Sequence, residues 1–114
     1  MGYGYRLTHL KYLAYNFFER DFSVDFEWDS QKADINDKKH GVSFEEASTV
    51  SGDYLSFTYP DSTHSILEER YIIIGLSGEN RILVISHTQR GESIRIISAR
   101  QATNRERDFY ESKK

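Results

Sequence analysis

From Val24 onward, short apolar and polar stretches alternate along the chain and predict a small set of strands and helices. Residues 24–28 alternate strictly between apolar residues and carboxylates, which is typical of a strand. Longer runs rich in β-branched and aromatic residues predict four further strands, at 54–59, 69–76, 81–89 and 92–99. Short glycine-containing segments separate the last three runs, so we expect those three strands to be consecutive antiparallel neighbours.

Two polar segments after the first strand carry helix signals. Asp29 is placed to accept hydrogen bonds from the first-turn amides of a helix over 30–39, and Gly41 is placed to end that helix. Ser43 and Glu46 then have the spacing of a capping box, in which each side chain bonds an amide of the same first turn. These signals predict two short helices in succession, the second ending near residue 50.

A charged final helix is predicted from Thr103 to about Ser112. With it, the predicted order of elements is β-α-α-β-β-β-β-α. This order favours an α+β fold in a single domain. We expect an antiparallel sheet of four to five strands, flanked by two short helices and a C-terminal helix.

The hairpin lengths predict how the strands align. A pairing of Leu76 with Arg81 places Arg70 across from His87, with both side chains on one face of the sheet. A shift of one residue would change the faces but not the position along the strand. In either case four candidate side chains lie toward the same end of the sheet, namely Arg70, His87, Arg90 and Arg95.

The first 23 residues differ from the rest of the chain, and we interpret them as an N-terminal extension. They contain seven of the sixteen aromatic residues. Apolar residues at helical spacing within 6–19 favour an amphipathic helix, and the alternative is a segment that docks loosely or not at all. We therefore expect the folded domain to comprise residues 24–114.

The composition narrows the class of protein. A chain of 114 residues has room for one domain of common size. It contains no cysteine, which excludes a disulfide scaffold and a cysteine nucleophile. Its longest apolar runs, 71–74 and 82–85, are far shorter than the roughly 20 residues of a membrane helix. Because the N-terminus also lacks the pattern of an export signal, we expect a cytoplasmic protein without membrane contact.

The net charge of −3 is unevenly distributed along the chain. Residues 24–80 sum to −8, whereas residues 81–114 sum to +4. A basic C-terminal third is compatible with contact to nucleic acid, and equally with an ordinary charged surface.

The polar residues permit one chemistry that needs neither a metal nor a cofactor, the cleavage of RNA by its own 2′-hydroxyl. The four histidines form no His-x-x-x-His pair, and no glycine-rich phosphate loop precedes a helix. The reaction needs a base, an acid and cations that stabilise the phosphate. The cation candidates are Arg70, Arg90, Arg95 and Arg100, and the proton-transfer candidates are Lys39, His40, Glu45, Glu46 and His87. Residue types alone do not select this chemistry from several others.

Each candidate also has a purely structural interpretation. An arginine at the end of a strand often pairs with a nearby acid, here Glu68 or Glu69 for Arg70. His40 is placed to stabilise the C-terminus of a helix, and Glu46 is already engaged in the predicted capping box.

Longer strings of the sequence are more specific than any single residue. They include Phe-Glu-Trp-Asp at 26–29, Lys-His-Gly-Val-Ser-Phe-Glu-Glu-Ala at 39–47 and Glu-Glu-Arg-Tyr at 68–71. They close with His-Thr at 87–88 and Ile-Arg-Ile-Ile-Ser-Ala-Arg at 94–100. In this order, over about 24–111, the chain resembles the BrnT toxins of bacterial toxin–antitoxin pairs.

The resemblance implies a fold, an activity and a partner. BrnT toxins are ribonucleases with a RelE-like fold, a compact antiparallel sheet flanked by helices. They are neutralised by BrnA, a ribbon-helix-helix antitoxin, and the complex represses its own operon. By resemblance, this chain would cleave RNA, bind a BrnA-like antitoxin and reach operator DNA through that antitoxin alone. The family typically begins near the position of Val24, so residues 1–23 are additional.

The resemblance and the residue chemistry together suggest roles. Arg70 and Arg95 would bind the scissile phosphate. His87 would act as general acid, because an imidazole of ordinary pKa can hold and release a proton at cellular pH. Glu45 would act as general base with Lys39 beside it. Further contacts to RNA are expected from His40, Glu46, Arg90 and Arg100.

Two classes of function remain open at this point. The chain is either a toxin ribonuclease that inhibits translation and growth, or a non-catalytic member that binds the antitoxin and acts as co-repressor. The acidic stretch 24–80 offers the antitoxin a surface and does not suit RNA, which would lie along the basic end of the sheet.

Overall fold

A six-stranded sheet runs through the residues that the computed structural model describes, namely 7–16, 20–63 and 68–112. The strands lie side by side in the order β1-β2-β6-β5-β4-β3. Their bounds are β1 Leu7–Asn16, β2 Arg20–Asp29, β3 Phe57–Pro60, β4 Arg70–Leu76, β5 Ile82–Arg90 and β6 Ser93–Gln101.

The helices lie close to the predicted segments. They are α1 Ser30–His40, α2 Phe44–Ser48, which a 3₁₀ turn continues over Thr49–Gly52, and α3 Asn104–Ser112. The α+β class is therefore confirmed. No helix in the described ranges is long and apolar enough to cross a membrane.

Helix α1 begins and ends at the predicted residues. One carboxylate oxygen of Asp29 accepts hydrogen bonds from the amides of Gln31 and Lys32, at 2.8 and 3.2 Å. Gly41 ends the helix with a φ of 68°, in the left-handed region that glycine adopts without steric cost. Local hydrogen bonding thus determines both ends of α1.

The capping box of α2 is confirmed in one half. The Ser43 hydroxyl accepts a hydrogen bond from the Glu46 amide at 3.0 Å. The other half of the prediction, a hydrogen bond from a first-turn amide to the Glu46 carboxylate, is wrong. This carboxylate accepts hydrogen bonds from Ser77 and Arg81 in the β4–β5 hairpin. A cation stabilises a buried carboxylate more than an amide does. The tertiary fold places Arg81, 35 residues away in sequence, next to Glu46.

The central strands pair as predicted, and the sheet has one pairing that was not predicted. β4, β5 and β6 are consecutive antiparallel neighbours. β2 lies along the other edge of β6 and runs parallel to it, pairing Phe26 with Ile94 and Glu27 with Arg95. The sheet is therefore mixed rather than wholly antiparallel. The sequence did not predict the parallel pairing, because a pairing between distant segments leaves no signal in either segment alone.

The N-terminal segment contributes a strand. The predicted helix over 6–19 is wrong for Leu7–Asn16, which pairs residue by residue with β2 in antiparallel register. Residues 6 and 17–19 lie outside the described part of the chain. An extended backbone here forms hydrogen bonds with the N–H and C=O groups on the outer edge of β2. A helix of the same sequence would leave those groups without strand partners. The division between an extension and a domain at residue 24 stays a prediction, and β2 crosses that position.

The predicted strand alignment is off by one residue. Leu76 pairs with Ile82 rather than with Arg81, because a Ser77–Arg81 hydrogen bond of 2.8 Å and Asn80 at a φ of 64° close a longer turn. Arg70 consequently pairs with Thr88, and His87 points to the opposite face of the sheet. The shared face predicted for these residues is wrong, whereas their shared position along the strands is confirmed.

The two faces of the sheet are covered differently. Helices α1 and α2 cover one face, over a core that includes Phe26, Trp28, Phe44, Leu83, Ile85 and Ile96. The buried Asn36 holds α1 to β6 by bonding the carbonyl and the amide of Ala99, at 2.8 and 3.1 Å. Helix α3 packs on the other face over Ile74, Ile82 and Val84. The remainder of that second face forms a groove.

Candidate active site

The groove lies on the α3 face of the sheet and has a volume of about 290 Å³. Its floor is formed by side chains that face each other across the central strands, with Ile72 paired to Ser86 and Ser86 to Ser98. Arg70 and Arg100 line the groove as well, and so does Asp61, which follows β3. We call this set of residues the arginine groove.

A row of register partners lies beside the arginine groove. Arg70 on β4 pairs with Thr88 on β5, Thr88 with Arg95 on β6, and Arg95 with Glu27 on β2. Partners directly opposite each other in a sheet point to the same face. Arg70 on β4 and Arg95 on β6 therefore point to the same face. Arg100, which is also on β6, lines the groove on that face.

Arg70 lies near an acidic side chain from the segment before β4. Its Nε is 3.6 Å from a carboxylate oxygen of Glu68, so the pairing with Glu68 that the sequence allowed is confirmed. The other oxygen of Glu68 is 3.2 Å from Arg90. Because both pairs are about one-third or more exposed, each contributes little to stability. Their effect is to hold two guanidinium groups at the same end of the sheet.

Arg95 is held more tightly. Its Nε and Nη2 donate to one carboxylate oxygen of Glu27, at 2.8 and 2.6 Å. Glu27 is 8 % exposed, so its charge needs this cation to offset the cost of burial. The Glu27 carboxylate thereby orients the Arg95 side chain on the open face.

Arg100 and Glu106 form a two-pronged pair between β6 and α3. The two terminal nitrogens of Arg100 lie 2.7 and 2.8 Å from the two carboxylate oxygens of Glu106. Glu106 also accepts a hydrogen bond from the Thr103 amide, and the Thr103 hydroxyl accepts one from the Glu106 amide. The hydrogen bond from Arg100 lowers the pKa of Glu106 to about 2. This reciprocal capping box fixes the start of α3 and the guanidinium of Arg100 together.

The arrangement gathers three oriented guanidinium groups on one face. A guanidinium has five N–H donors in a planar fork, and a carboxylate partner occupies two of them. The remaining donors can bind phosphate oxygens while the carboxylate keeps the side chain in place. The groove is therefore suited to an extended phosphodiester.

His87 lies on the opposite face from the arginine groove. It borders a separate apolar cavity of about 130 Å³ with Phe26, Ile85 and Ile94, and stacks on Tyr71 at a ring distance of 6.0 Å. Burial lowers the pKa of His87 to about 4. The imidazole is neutral at pH 7, so its position and its charge both argue against the predicted role of general acid.

The helical candidates also lie away from the groove. Lys39 and His40 are in the last turn of α1, and Glu45 is exposed on α2, on the side of the sheet that faces away from Arg70. Glu46 is buried against Arg81, whose hydrogen bond lowers the pKa of the Glu46 carboxyl. Arg81 directly precedes β5 and is six residues from His87, a distance of about 20 Å along extended chain. The structure does not bring these residues to the arginines.

Sequence reasoning did not identify several residues that line the arginine groove or orient the arginines beside it. The Thr-x-x-Glu spacing of Thr103 and Glu106 is a capping-box signal that could have located Glu106. Ser86 and Ser98 carry no local signal, because they become neighbours only through strand pairing. The same is true of Glu27, whose partner Arg95 lies 68 residues away.

Oriented arginines on an open sheet face are side chains whose chemistry suits the phosphate groups of a nucleic-acid chain. The family model of the BrnT ribonuclease toxin of type II toxin–antitoxin systems matches residues 28–106, and the chain belongs to this family. The matched range includes Arg70, Arg95, Arg100 and Glu106. The resemblance to BrnT toxins is thus confirmed. No curated protein sequence matches the chain.

Proposed function

We propose that this chain is an endoribonuclease that cleaves RNA by attack of an internal 2′-hydroxyl, without a metal ion. The family of ribonuclease toxins supports the general activity. The observation that supports the mechanism is the convergence of Arg70, Arg95 and Arg100 on one open face, each oriented by a carboxylate. Cations held in advance stabilise charge as it develops, without reorganisation during the reaction.

In the proposed reaction the 2′-oxygen attacks the adjacent phosphorus. A base removes the proton of the 2′-hydroxyl, the bond between phosphorus and the 5′-oxygen breaks, and an acid protonates that leaving oxygen. The products are a 2′,3′-cyclic phosphate and a free 5′-hydroxyl. The arginines stabilise the additional negative charge on the phosphate oxygens in the transition state.

The arginine part of the predicted site is better supported than the proton-transfer part. Arg70 and Arg95 remain our candidates for the scissile phosphate, and Arg100 and Arg90 for neighbouring phosphates. The roles of His87 as acid and of Glu45 with Lys39 as base stay predictions, as do RNA contacts from His40 and Glu46. Their positions on the other side of the sheet do not support these roles.

We propose that the partner is a BrnA-like ribbon-helix-helix antitoxin that covers the arginine face. The face presents guanidinium N–H donors to solvent, so a partner bearing acidic side chains would compete with RNA for them. In this proposal the toxin acts in the cytoplasm and arrests translation and growth. The complex contacts operator DNA only through the antitoxin.

Purified variants test the proposal on RNA in excess EDTA. Replacing Arg70 or Arg95 by alanine is expected to lower the cleavage rate by on the order of a hundredfold, since each is assigned to the transition-state charge. Arg107→Ala is the matched control, because Arg107 is exposed on α3. The 3′ ends of the products should carry a 2′,3′-cyclic phosphate.

Three outcomes would contradict parts of this proposal. Full activity of both Arg70→Ala and Arg95→Ala would reject the assigned site, and loss of activity in EDTA would reject the metal-free mechanism. Absence of cleavage and of growth arrest by the wild type, with antitoxin binding retained, would favour the non-catalytic co-repressor. Recovery of free, active toxin from cells that also express a BrnA-like antitoxin would reject the partner.

A further inference from the structure

The proposed reaction needs a base on the same face of the sheet as the arginines. The base that the sequence suggested, Glu45 with Lys39 beside it, lies on the other side of the sheet. The carboxylates that contact the arginines or line the groove are Glu27, Asp61, Glu68 and Glu106. The other contacts of each carboxylate decide which of them is available to accept a proton from a substrate.

Three of these carboxylates are engaged with other groups of the protein. Glu27 is 8 % exposed and accepts hydrogen bonds from Nε and Nη2 of Arg95. Glu106 accepts hydrogen bonds from both terminal nitrogens of Arg100, and its pKa of about 2 makes it a weak base. Asp61 accepts a hydrogen bond from a neighbouring threonine and has further interactions within the molecule.

Glu68 is placed differently, because its carboxylate lies between two arginines and is open to solvent. One carboxylate oxygen is 3.6 Å from Nε of Arg70, and the other is 3.2 Å from Nη2 of Arg90. The Glu68 side chain is 35 % exposed, so a substrate can reach it. An ionised carboxylate has about four acceptor sites, and the two arginine contacts leave others for a hydroxyl group.

The contact with Arg70 also determines where Glu68 lies relative to the substrate. Arg70 is assigned to the scissile phosphate. The attacking 2′-hydroxyl belongs to the ribose that carries this phosphate, and its oxygen lies about 3 Å from phosphorus in the reactive geometry. A carboxylate beside the guanidinium that binds the phosphate is therefore within reach of that hydroxyl. The positive charges of Arg70 and Arg90 offset the repulsion between the carboxylate and the phosphate.

We infer that Glu68 is the general base of the proposed reaction, in place of Glu45. The inference rests on the proposed function and deepens it. A Glu68 oxygen accepts the proton of the 2′-hydroxyl as the 2′-oxygen bonds to phosphorus. The bond between phosphorus and the 5′-oxygen breaks, and that oxygen takes a proton from water. The proton on Glu68 then passes to solvent, which restores the carboxylate.

Removal of the carboxylate tests this role in the purified protein. Glu68→Gln keeps the size of the side chain but cannot take the proton. We expect its cleavage rate, measured with the protein in excess over RNA, to fall by about a hundredfold to ten-thousandfold. Glu69→Gln is the matched control with the same change of charge. The Glu69 carboxylate lies 3.4 Å from the hydroxyl of Tyr71, which stacks on His87 on the opposite face, so this variant should cleave RNA as the wild type does.

Two further measurements separate a base from a residue that only positions the arginines. Fluorescence anisotropy with fluorescein-labelled 2′-O-methyl RNA, which lacks the attacking hydroxyl, reports affinity alone. Glu68→Gln should bind this RNA at least as tightly as the wild type, because the substitution removes a negative charge next to the phosphates. RNA with sulfur in place of the 5′-oxygen has a leaving group that needs no proton. Glu68→Gln should stay at least about tenfold slower than the wild type on this RNA, because the 2′-hydroxyl still lacks its base.

Each outcome decides a separate point. Cleavage by Glu68→Gln within about tenfold of the wild-type rate would overturn the inference, and so would recovery of its rate on the sulfur-containing RNA. A loss of affinity as large as the loss of rate would make Glu68 a positioning residue and would also overturn it. In these cases the wild type still cleaves RNA, so the proposed function stands. A wild type that binds RNA without cleaving it would reject the proposed function and the base together. Circular dichroism checks folding, and Glu68→Ser is a second variant without the carboxylate.

Discussion

The surroundings of a single side chain decide what it can do, and His87 is the clearest case. Its imidazole lies against Tyr71 and three apolar side chains of the helical face. Transfer of a charged imidazolium into such surroundings is costly, so the folded protein holds His87 neutral. The sequence favoured His87 as a general acid, and in the fold it is a partly buried residue that borders the apolar core.

This burial predicts a pH dependence of stability. The folded pKa of His87 is about 4, below the ordinary value of 6.5, so the unfolded chain binds the proton more readily. Stability is fully present above pH 6.5 and is lost as the pH falls toward 4, by up to about 3 kcal/mol. The free energy of unfolding, measured by urea titration, should be lower at pH 4.8 than at pH 7.0 by about 2 kcal/mol.

His87→Leu removes the titrating group from this cavity and should flatten the pH dependence between pH 6.5 and 4.8. The carboxylates whose pKa is lowered, Glu46 and Glu106, lose their stabilising contribution below their ordinary value of 4.5, outside this range. An equal decrease in His87→Leu and the wild type would show that the histidine is not the cause. Full RNA cleavage by His87→Leu would also separate this residue from the chemistry.

At the scale of the elements, β4 and the 3₁₀ turn approach each other so closely that only glycine fits at the contact. Gly75 on β4 is buried against the 3₁₀ turn, and a Cβ there would lie 2.5 Å from Val50 and 2.9 Å from Ser56. Asp53 joins the same region by accepting hydrogen bonds from the Leu76 amide at 2.8 Å and the Tyr110 hydroxyl at 2.6 Å. Hydrogen bonds and close packing thereby connect the turn, β4 and α3.

Gly75→Ala is therefore expected to destabilise the protein by about 1–3 kcal/mol, since the added methyl must displace backbone or packed side chains. Gly78→Ala is the matched control, because its Cβ would meet Thr49 at an ordinary 3.5 Å. Thermal unfolding followed by circular dichroism measures both. Equal melting temperatures for the two variants would contradict the close approach at Gly75.

At the scale of the whole molecule, the fold places on one face arginines that the sequence divides between an acidic and a basic stretch. The chain carries a net charge of −3, yet Arg70 from the acidic stretch 24–80 joins Arg95 and Arg100 from the basic third. Carboxylates that orient these arginines reduce the local positive potential without removing the N–H donors. The site therefore attracts a distant RNA chain less strongly, and its guanidinium groups are already oriented when the RNA binds.

This arrangement predicts a moderate salt dependence of RNA binding. With about three phosphate contacts, the logarithm of the affinity for single-stranded RNA should fall with the logarithm of salt concentration with a slope of about −2. Arg100→Ala should reduce that slope by about 0.7, the contribution of one phosphate contact, while Arg107→Ala leaves it unchanged. Affinities measured between 50 and about 300 mM salt give the slope. A slope near zero would exclude binding through the arginine groove.

The sequence by itself determined the features that depend on neighbours in the chain. The caps at Asp29 and Gly41, the three-strand hairpin order and the family membership all follow from short strings, because a helix end or a turn satisfies its hydrogen bonds within a few residues. Arg70, Arg90, Arg95 and Arg100 were also identified as cation candidates from the sequence, as was the common end of the sheet for the first three.

The tertiary structure alone decided which side chains share a face. A turn one residue longer than predicted moves His87 away from Arg70, since side chains alternate along a strand. The parallel pairing of β2 with β6, the strand formed by Leu7–Asn16 and the neighbouring Ser86 and Ser98 likewise arise from contacts between segments distant in sequence. Such contacts are set by the packing of the whole sheet, and no single segment carries enough free energy to specify them.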